Sequence, residues 1–181
     1  MEDNLRYPIG KFSPKEEYTK NEIEQFISRI ESLPAKLEKE VSNLTPSQLD
    51  TPYRDGGWTV RQVIHHIADS HMNAYIRFKW TLTEDTPMIK AYDEKLWAET
   101  PEVKANPNLS ISLLKALHAK WIVLLRGLTA SDLKKEFIHP ETKKQIRLEN
   151  LMGLYAWHGE HHLAHITTLK ARVGWQTKNS L

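Results

Sequence analysis

The chain has 181 residues, 40% of them hydrophobic and 27% charged, a balance that suits one folded globular domain over residues 1–181 and excludes intrinsic disorder. Twenty-five Lys and Arg stand against 23 Asp and Glu, a formal charge of +2 that is too even for a dedicated nucleic-acid binder. Cysteine is absent, which removes disulfides, iron–sulfur clusters, thiolate zinc sites and a protein thiol nucleophile.

In chain order, the first ten residues (MEDNLRYPIG) show no charged segment followed by an apolar one. They read as a chain without a secretory leader, and the expected address is the cytoplasm. From about Asn21 to Leu44, residues Ile23, Phe26, Ile27, Ile30, Leu33, Leu37, Val41 and Leu44 recur at steps of three and four, the spacing of one helix face. Pro34 falls inside this run and predicts a kink rather than a stop, because the stripe continues in phase beyond it. A loop ends at Gly56-Gly57, and Thr59 reads as the N-cap of a second helix from Val60 to about Leu82. Its stripe is Val63, Ile64, Ile67, His71, Tyr75, Phe78 and Leu82.

Residues 83–108 carry Pro87, Pro101 and Pro107 and no clean period. An irregular stretch of that length reads equally as a lid or a surface excursion, with a short helical turn near Asp93–Glu99. A third helix runs from about Ser110 to Leu128, with Ile111, Leu114, Leu117, Trp121, Leu124, Leu125 and Leu128 inward. Phe137 to Leu148 suggests a small hairpin. A fourth helix runs from about Leu148 to Val173, where Gly174 supplies a stop. The prediction is an all-α four-helix bundle with a long irregular connection between the second and third long helices. No uninterrupted apolar run approaches the ~20 residues of a membrane span.

Nine residues are histidine, against roughly four or five in ordinary composition, and four of them fall between His158 and His165. At about 100° per residue, His158 and His162 lie about 40° apart and one turn apart, so both can reach one ion. They project within about 50° of the centre of the stripe formed by Leu148, Leu151, Tyr155, Ile166, Leu169 and Val173. His161, which pairs with His165 at the same spacing, lies about 110° from that centre. The metalloprotease pattern is excluded, because Gly159 follows the first histidine and Glu160 projects about 200° away from it. Catalytic zinc usually takes three protein ligands and keeps a position open. The second helix offers His65, His66 and His71, and periodicity favours His71, with His65 and His66 on opposite flanks. His118 and His139 have no partner pattern.

Several stretches resemble one family when taken together. They are Tyr7-Pro8-Ile9-Gly10, then Leu49-Asp50-Thr51-Pro52-Tyr53-Arg54-Asp55-Gly56-Gly57-Trp58-Thr59-Val60-Arg61-Gln62, then His65-His66-Ile67-Ala68-Asp69-Ser70-His71-Met72-Asn73, and the cluster from His158 to His162. Across essentially the whole chain the sequence resembles the DinB-like superfamily of metal-dependent enzymes. The resemblance implies a four-helix bundle with one divalent metal ion per chain, zinc first and nickel second. Its implied ligands are His66, His158 and His162; for His66 it departs from the stripe argument and is followed here. It also implies a homodimer and a metal-dependent hydrolase acting on a small molecule through activated water. The alternative is an S-transferase that joins a low-molecular-weight thiol of the bacillithiol type to electrophiles. A non-catalytic metal-binding bundle is the third reading. Asp69, three residues after His66, is a candidate to orient a ligand imidazole. Tyr53, Arg54, Asp55 and Trp58 either line the site or fix the loop before it.

Overall fold

Two of the four long helices and two short ones begin where a threonine accepts hydrogen bonds from free N–H groups. Thr19, Thr45, Thr59 and Thr129 each form a reciprocal capping box with Glu22, Gln48, Gln62 and Asp132 respectively. The computed structural model describes residues 2–175; residue 1 and residues 176–181 of the expected domain lie outside them. The elements are α1 (Glu2–Arg6), α2 (Lys20–Val41), α3 (Pro46–Leu49), α4 (Val60–Thr83), α5 (Glu94–Trp97), a 3-10 turn (Pro101–Lys104), α6 (Asn108–Arg126), α7 (Ala130–Leu133), β1 (Glu136–Ile138), β2 (Gln145–Arg147) and α8 (Leu148–Val173). The four long helices are those expected, each end within three residues. The hairpin is antiparallel, with Phe137 opposite Ile146. Gly174 closes α8 with φ 71°, the left-handed conformation that costs glycine least.

The helices α2 and α4 each pack against both α6 and α8. Their apolar faces form two buried clusters. One holds Ile27, Ile30, Phe78, Trp121, Leu125, Met152 and Tyr155. The other holds Leu33, Leu37, Val60, Ile64, Ile67, Leu114, Ile166 and Leu169. Each fully buried side chain of this size contributes ~1.5–3 kcal/mol. Along every helix the switch from one cluster to the other falls at the same level: after Ile30 on α2, after Ala68 on α4, after Leu114 on α6 and after Ala156 on α8. At that level α4, α6 and α8 carry histidines, so a layer of imidazoles divides the apolar core.

Two glycines and a proline adjust the packing at this layer. A Cβ on Gly159 would run into the side chain of Leu33, so the absence of a side chain sets how closely α8 approaches α2. Pro34 sits inside α2, as predicted, and the helix continues through it. Having no N–H, it leaves the Ile30 carbonyl without its usual helical donor. Gly153 approaches Phe26 less closely, with a Cβ there meeting the ring at 3.1 Å.

The irregular connection is tied down rather than free. Its backbone bridges to the hairpin, with the Ile89 N–H donating to the Ile138 carbonyl at 3.1 Å and the Ile138 N–H to the Pro87 carbonyl at 2.9 Å. On α4, Gln62 donates to the Ala98 carbonyl and Arg61 to that of Ala105, each at 3.0 Å. Among the described residues one helix, α6, is long and apolar enough to cross a membrane, with a window of mean hydropathy 1.3. The uninterrupted runs did not suggest it, because Lys115, His118 and Lys120 break them. Its inner face, with Ile111, Leu114, His118 and Trp121, is buried against the bundle.

Candidate metal centre

Three histidines converge where the imidazole layer reaches the side of the bundle. His66 comes from the second turn of α4, and His158 and His162 come from successive turns of α8. One ring nitrogen from each lies within 4.8 Å of the other two. The Nε2 atoms of His66 and His158 are 3.2 Å apart. Two nitrogens bound tetrahedrally to one ion at ~2.0–2.1 Å are about 3.3–3.4 Å apart. The arrangement therefore fits a small divalent ion with little adjustment. The Trp58 ring packs on His66 at 4.6 Å between centroids, and Ser70 Oγ lies 3.5 Å from His158 Nε2.

Electrostatics prepare the same outcome. Burial, helped by nearby His165, pushes His66 down to about 4. Burial first, then neighbouring imidazoles, holds His158 and His162 well below the usual histidine range. All three are neutral at neutral pH, and a neutral imidazole offers a metal its lone pair without releasing a proton.

The three histidines open onto a cavity of about 370 Å³. Its other walls include Ser70, Arg77, Tyr92, His139, Glu141 and Tyr155. Residues Tyr92, His139 and Glu141 come from the irregular connection and the hairpin, whose placement over the site had no periodic signal in the sequence. Arg77 Nε and His139 Nδ1 are buried and have no partner among the described residues. Burial raises the Tyr92 phenol, and Ser70, then Arg77, partly offset this.

The structure places the other candidates as follows. His71 is fully buried at the centre of the stripe, as periodicity predicted, yet it stands behind the cluster and not in it. Its Nε2 is 3.3 Å from His158 Nδ1, and its Nδ1 is 3.0 Å from His118 Nε2. Stripe centrality measures burial, whereas the converging nitrogens sit at the stripe's edge, beside the cavity. His65 turns to Ser110 Oγ at 2.8 Å. Asp69 makes no side-chain hydrogen bond to these imidazoles among the described residues; burial, then Glu102, raises its carboxyl to about 6. Glu160 pairs with Arg29 at 2.7 Å, facing away as its helical angle required. In the loop before α4, Trp58 lies at the site. Tyr53 instead stacks on His165 at 4.0 Å, and Arg54 bonds the Asp55 carbonyl at 2.8 Å.

His161 departs from the expectation of an outlying position, being only 6% exposed. The N-terminal segment covers that side of α8. Tyr7 lies 5.8 Å from the His161 ring, and Trp157 stacks on it at 4.4 Å. His165 Nε2 donates to the Arg6 carbonyl at 3.0 Å. One ring nitrogen each of His161, His162 and His165 also lie within 4.8 Å of one another. That group comes from a single helix and shares His162 with the first, and His165 does not line the cavity.

Known proteins resemble this chain over most of its length. The profile of the DinB superfamily matches residues 29–166. The YfiT protein of Bacillus subtilis (strain 168) is 57% identical over 173 residues, covering 95% of this chain and 97% of that protein. A relative from Bacillus cereus (strain 03BB102), which carries a provisional metal-dependent hydrolase name, is 53% identical over 173 residues, covering 96% of this chain and 99% of its own. The solved structure of YfiT, described as a probable metal-dependent hydrolase with an unusual four-helix bundle topology, superposes with a TM-score of 0.94 at 56% identity, over 96% of this chain and 99% of that one. A mycothiol-dependent maleylpyruvate isomerase shares the fold alone, with a TM-score of 0.59 and 14% identity over 80% of this chain and 60% of its own. Agreement of this extent, in sequence and in topology, means that this chain belongs to the DinB superfamily.

Proposed function

We propose that the protein is a divalent-metal-dependent hydrolase of small molecules, with His66, His158 and His162 as the metal ligands. The observation that carries this reading is the 3.2 Å approach of the His66 and His158 Nε2 atoms, with His162 beside them, at the floor of an open cavity. When bound, a divalent ion there supplies a Lewis acid that polarises a carbonyl or phosphoryl oxygen and acidifies a water ligand. Three imidazoles suit zinc or nickel equally in ligand type, and zinc is the first choice. The group of His161, His162 and His165 is set aside because all three come from one helix and His165 lies off the cavity.

The chain's own residues complete the site. Trp58 packs against His66 with its ring tilted by 48° and forms part of the apolar surround of that ligand. Ser70 Oγ, 3.2 Å from the Tyr155 hydroxyl, places a hydroxyl pair beside His158. Arg77 brings an unpaired buried N–H donor into the cavity, where it suits a substrate bearing acceptor oxygens. Glu94, His139 and Glu141 also line the cavity and carry groups of the kind that exchange protons with a substrate.

Thiol transfer is the second reading, and one observation favours it. No carboxylate among the described residues is hydrogen-bonded at the three imidazoles, so a base for water attack is not built into their immediate surroundings. A low-molecular-weight thiol, more acidic than water, ionises without one. The deciding experiment uses protein purified without a chelating tag. Turnover across ester, amide and phosphate panels that is lost on chelation supports hydrolysis. Turnover that requires an added thiol supports transfer. A chain that binds no divalent metal under any loading condition contradicts both.

A further inference from the structure

Behind the candidate ligands runs a line of hydrogen bonds that ends on a backbone atom. His158 Nδ1 meets His71 Nε2 at 3.3 Å, His71 Nδ1 meets His118 Nε2 at 3.0 Å, and His118 Nδ1 meets the Ile30 carbonyl oxygen at 2.7 Å. His71 is 0% exposed and His118 is 2% exposed, so no solvent interrupts the line. Among the described residues no carboxylate enters this line of bonds. We infer that His71 and His118 are positioning residues that lock His158 into the one tautomer able to present Nε2 to a metal.

The direction of every bond follows from the last one. A carbonyl oxygen only accepts, so the proton between His118 and Ile30 sits on His118 Nδ1. A neutral imidazole carries one N–H, so His118 Nε2 accepts from His71 Nδ1. His71 Nε2 then accepts from His158 Nδ1. That leaves the lone pair of His158 on Nε2, the atom 3.2 Å from His66 Nε2. Ligand histidines commonly donate their second N–H to an oxygen acceptor that fixes the tautomer. Here two further imidazoles carry that function across the core, from α8 through α4 and α6 to α2.

Pro34 explains why the Ile30 carbonyl is available. In an uninterrupted helix this oxygen accepts from the N–H four residues ahead, and that residue is Pro34, which has none. The oxygen would be an orphan inside the core, and His118 takes it. The proline that sequence reading treats only as a kink thus opens the anchor of the line.

The inference depends on the metal reading for its purpose but not for its geometry, so the two are tested apart. A long-range proton–nitrogen correlation spectrum of isotope-labelled, metal-free wild type at neutral pH reads the tautomer of each ring. The expected result is a single Nδ1–H form at His118, His71 and His158; an Nε2–H form at His118 or His158 overturns the inference. His118→Phe removes the anchor and fills its volume. It is expected to spread His158 over both tautomers and to weaken zinc binding about 10–100-fold at one ion per chain. His118→Gln, whose amide can donate to Ile30 and accept from His71, is expected to recover most of that loss. An unchanged His158 tautomer with unchanged zinc affinity in His118→Phe overturns the inference. Should His118→Phe fail to fold, the wild-type spectrum alone decides. A wild type that binds no zinc defeats the metal reading, and the tautomer spectrum still judges the line of bonds.

Discussion

Helix α8 carries two pairs of histidines at the same four-residue spacing, and they differ in what stands around them. His158 and His162 face α4, where His66 joins them beneath an open cavity. His161 and His165 face the N-terminal segment, where aromatic rings and the Arg6 carbonyl occupy them. Spacing alone makes a chelating pair possible. A third imidazole from another helix and an approach from solvent make it a site. The second pair has no imidazole from another helix, and although His161 reaches the cavity wall, His165 does not.

The largest effect that separates the two faces is chelation. Removing metal from the loaded protein is expected to abolish turnover while the far-ultraviolet circular dichroism stays unchanged, because both apolar clusters are complete without an ion. Loss of helix on chelation would make the metal structural and put the two faces on equal terms.

Acid should act on the buried rings. Burial holds His118 at about 4, against an ordinary 6.5, with its bond to the Ile30 carbonyl pulling weakly the other way. Between those values the unfolded chain binds a proton that the folded chain refuses, so stability falls as pH falls from ~6.5 towards ~4. His118 alone accounts for a loss on the order of 3 kcal/mol over that range. Asp69, raised to about 6, works in the opposite direction, because its protonation favours the folded state as pH falls. Denaturant titrations of the metal-free protein across this window check the net sign. A flat profile in the Asp69→Asn variant, where the opposing carboxyl is gone, would mean that the imidazole layer is open to water.

Gly159→Ala pushes a methyl group into Leu33 and is expected to cost about 1–3 kcal/mol. Because it displaces α8 beside His158, metal affinity should fall with stability. A fully stable variant would show that α2 can give way at this point. The smallest effect belongs to the covered face. His165→Ala loses a bond to the Arg6 carbonyl and the stack on Tyr53, at a cost of about 1–2 kcal/mol in thermal or denaturant melts. Metal stoichiometry should stay as in wild type.

The bundle was legible because each long helix carries a continuous apolar stripe, and Thr59 and Gly174 mark ends that the structure keeps. The inward turn of His158 and His162 followed from the same arithmetic. Periodicity points to His71 rather than His66 because it locates the centre of the buried face, whereas the converging rings of His66, His158 and His162 lie at its edge, beside the cavity. The resemblance to the superfamily selected His66, and the structure brings that residue to the pair on α8. His161 was misjudged because the covering segment, Tyr7 among it, has no periodic signal of its own. The cavity walls from the irregular connection and the hairpin were invisible for the same reason: backbone bonds between Ile89 and Ile138 place them, and no side-chain pattern records such bonds. The anchor at Ile30 needed two facts together, the missing N–H of Pro34 and the position of His118 across the bundle.

The most direct test of the central claim is zinc titration of tag-free protein across the two faces of α8. The account predicts one ion per chain in wild type, His161→Ala and His165→Ala. It predicts affinity more than about 100-fold weaker in His66→Ala, His158→Ala and His162→Ala, beyond the range expected for residues that only support a ligand. Retained affinity in His66→Ala together with loss in His161→Ala and His165→Ala would move the metal to the other face and contradict it.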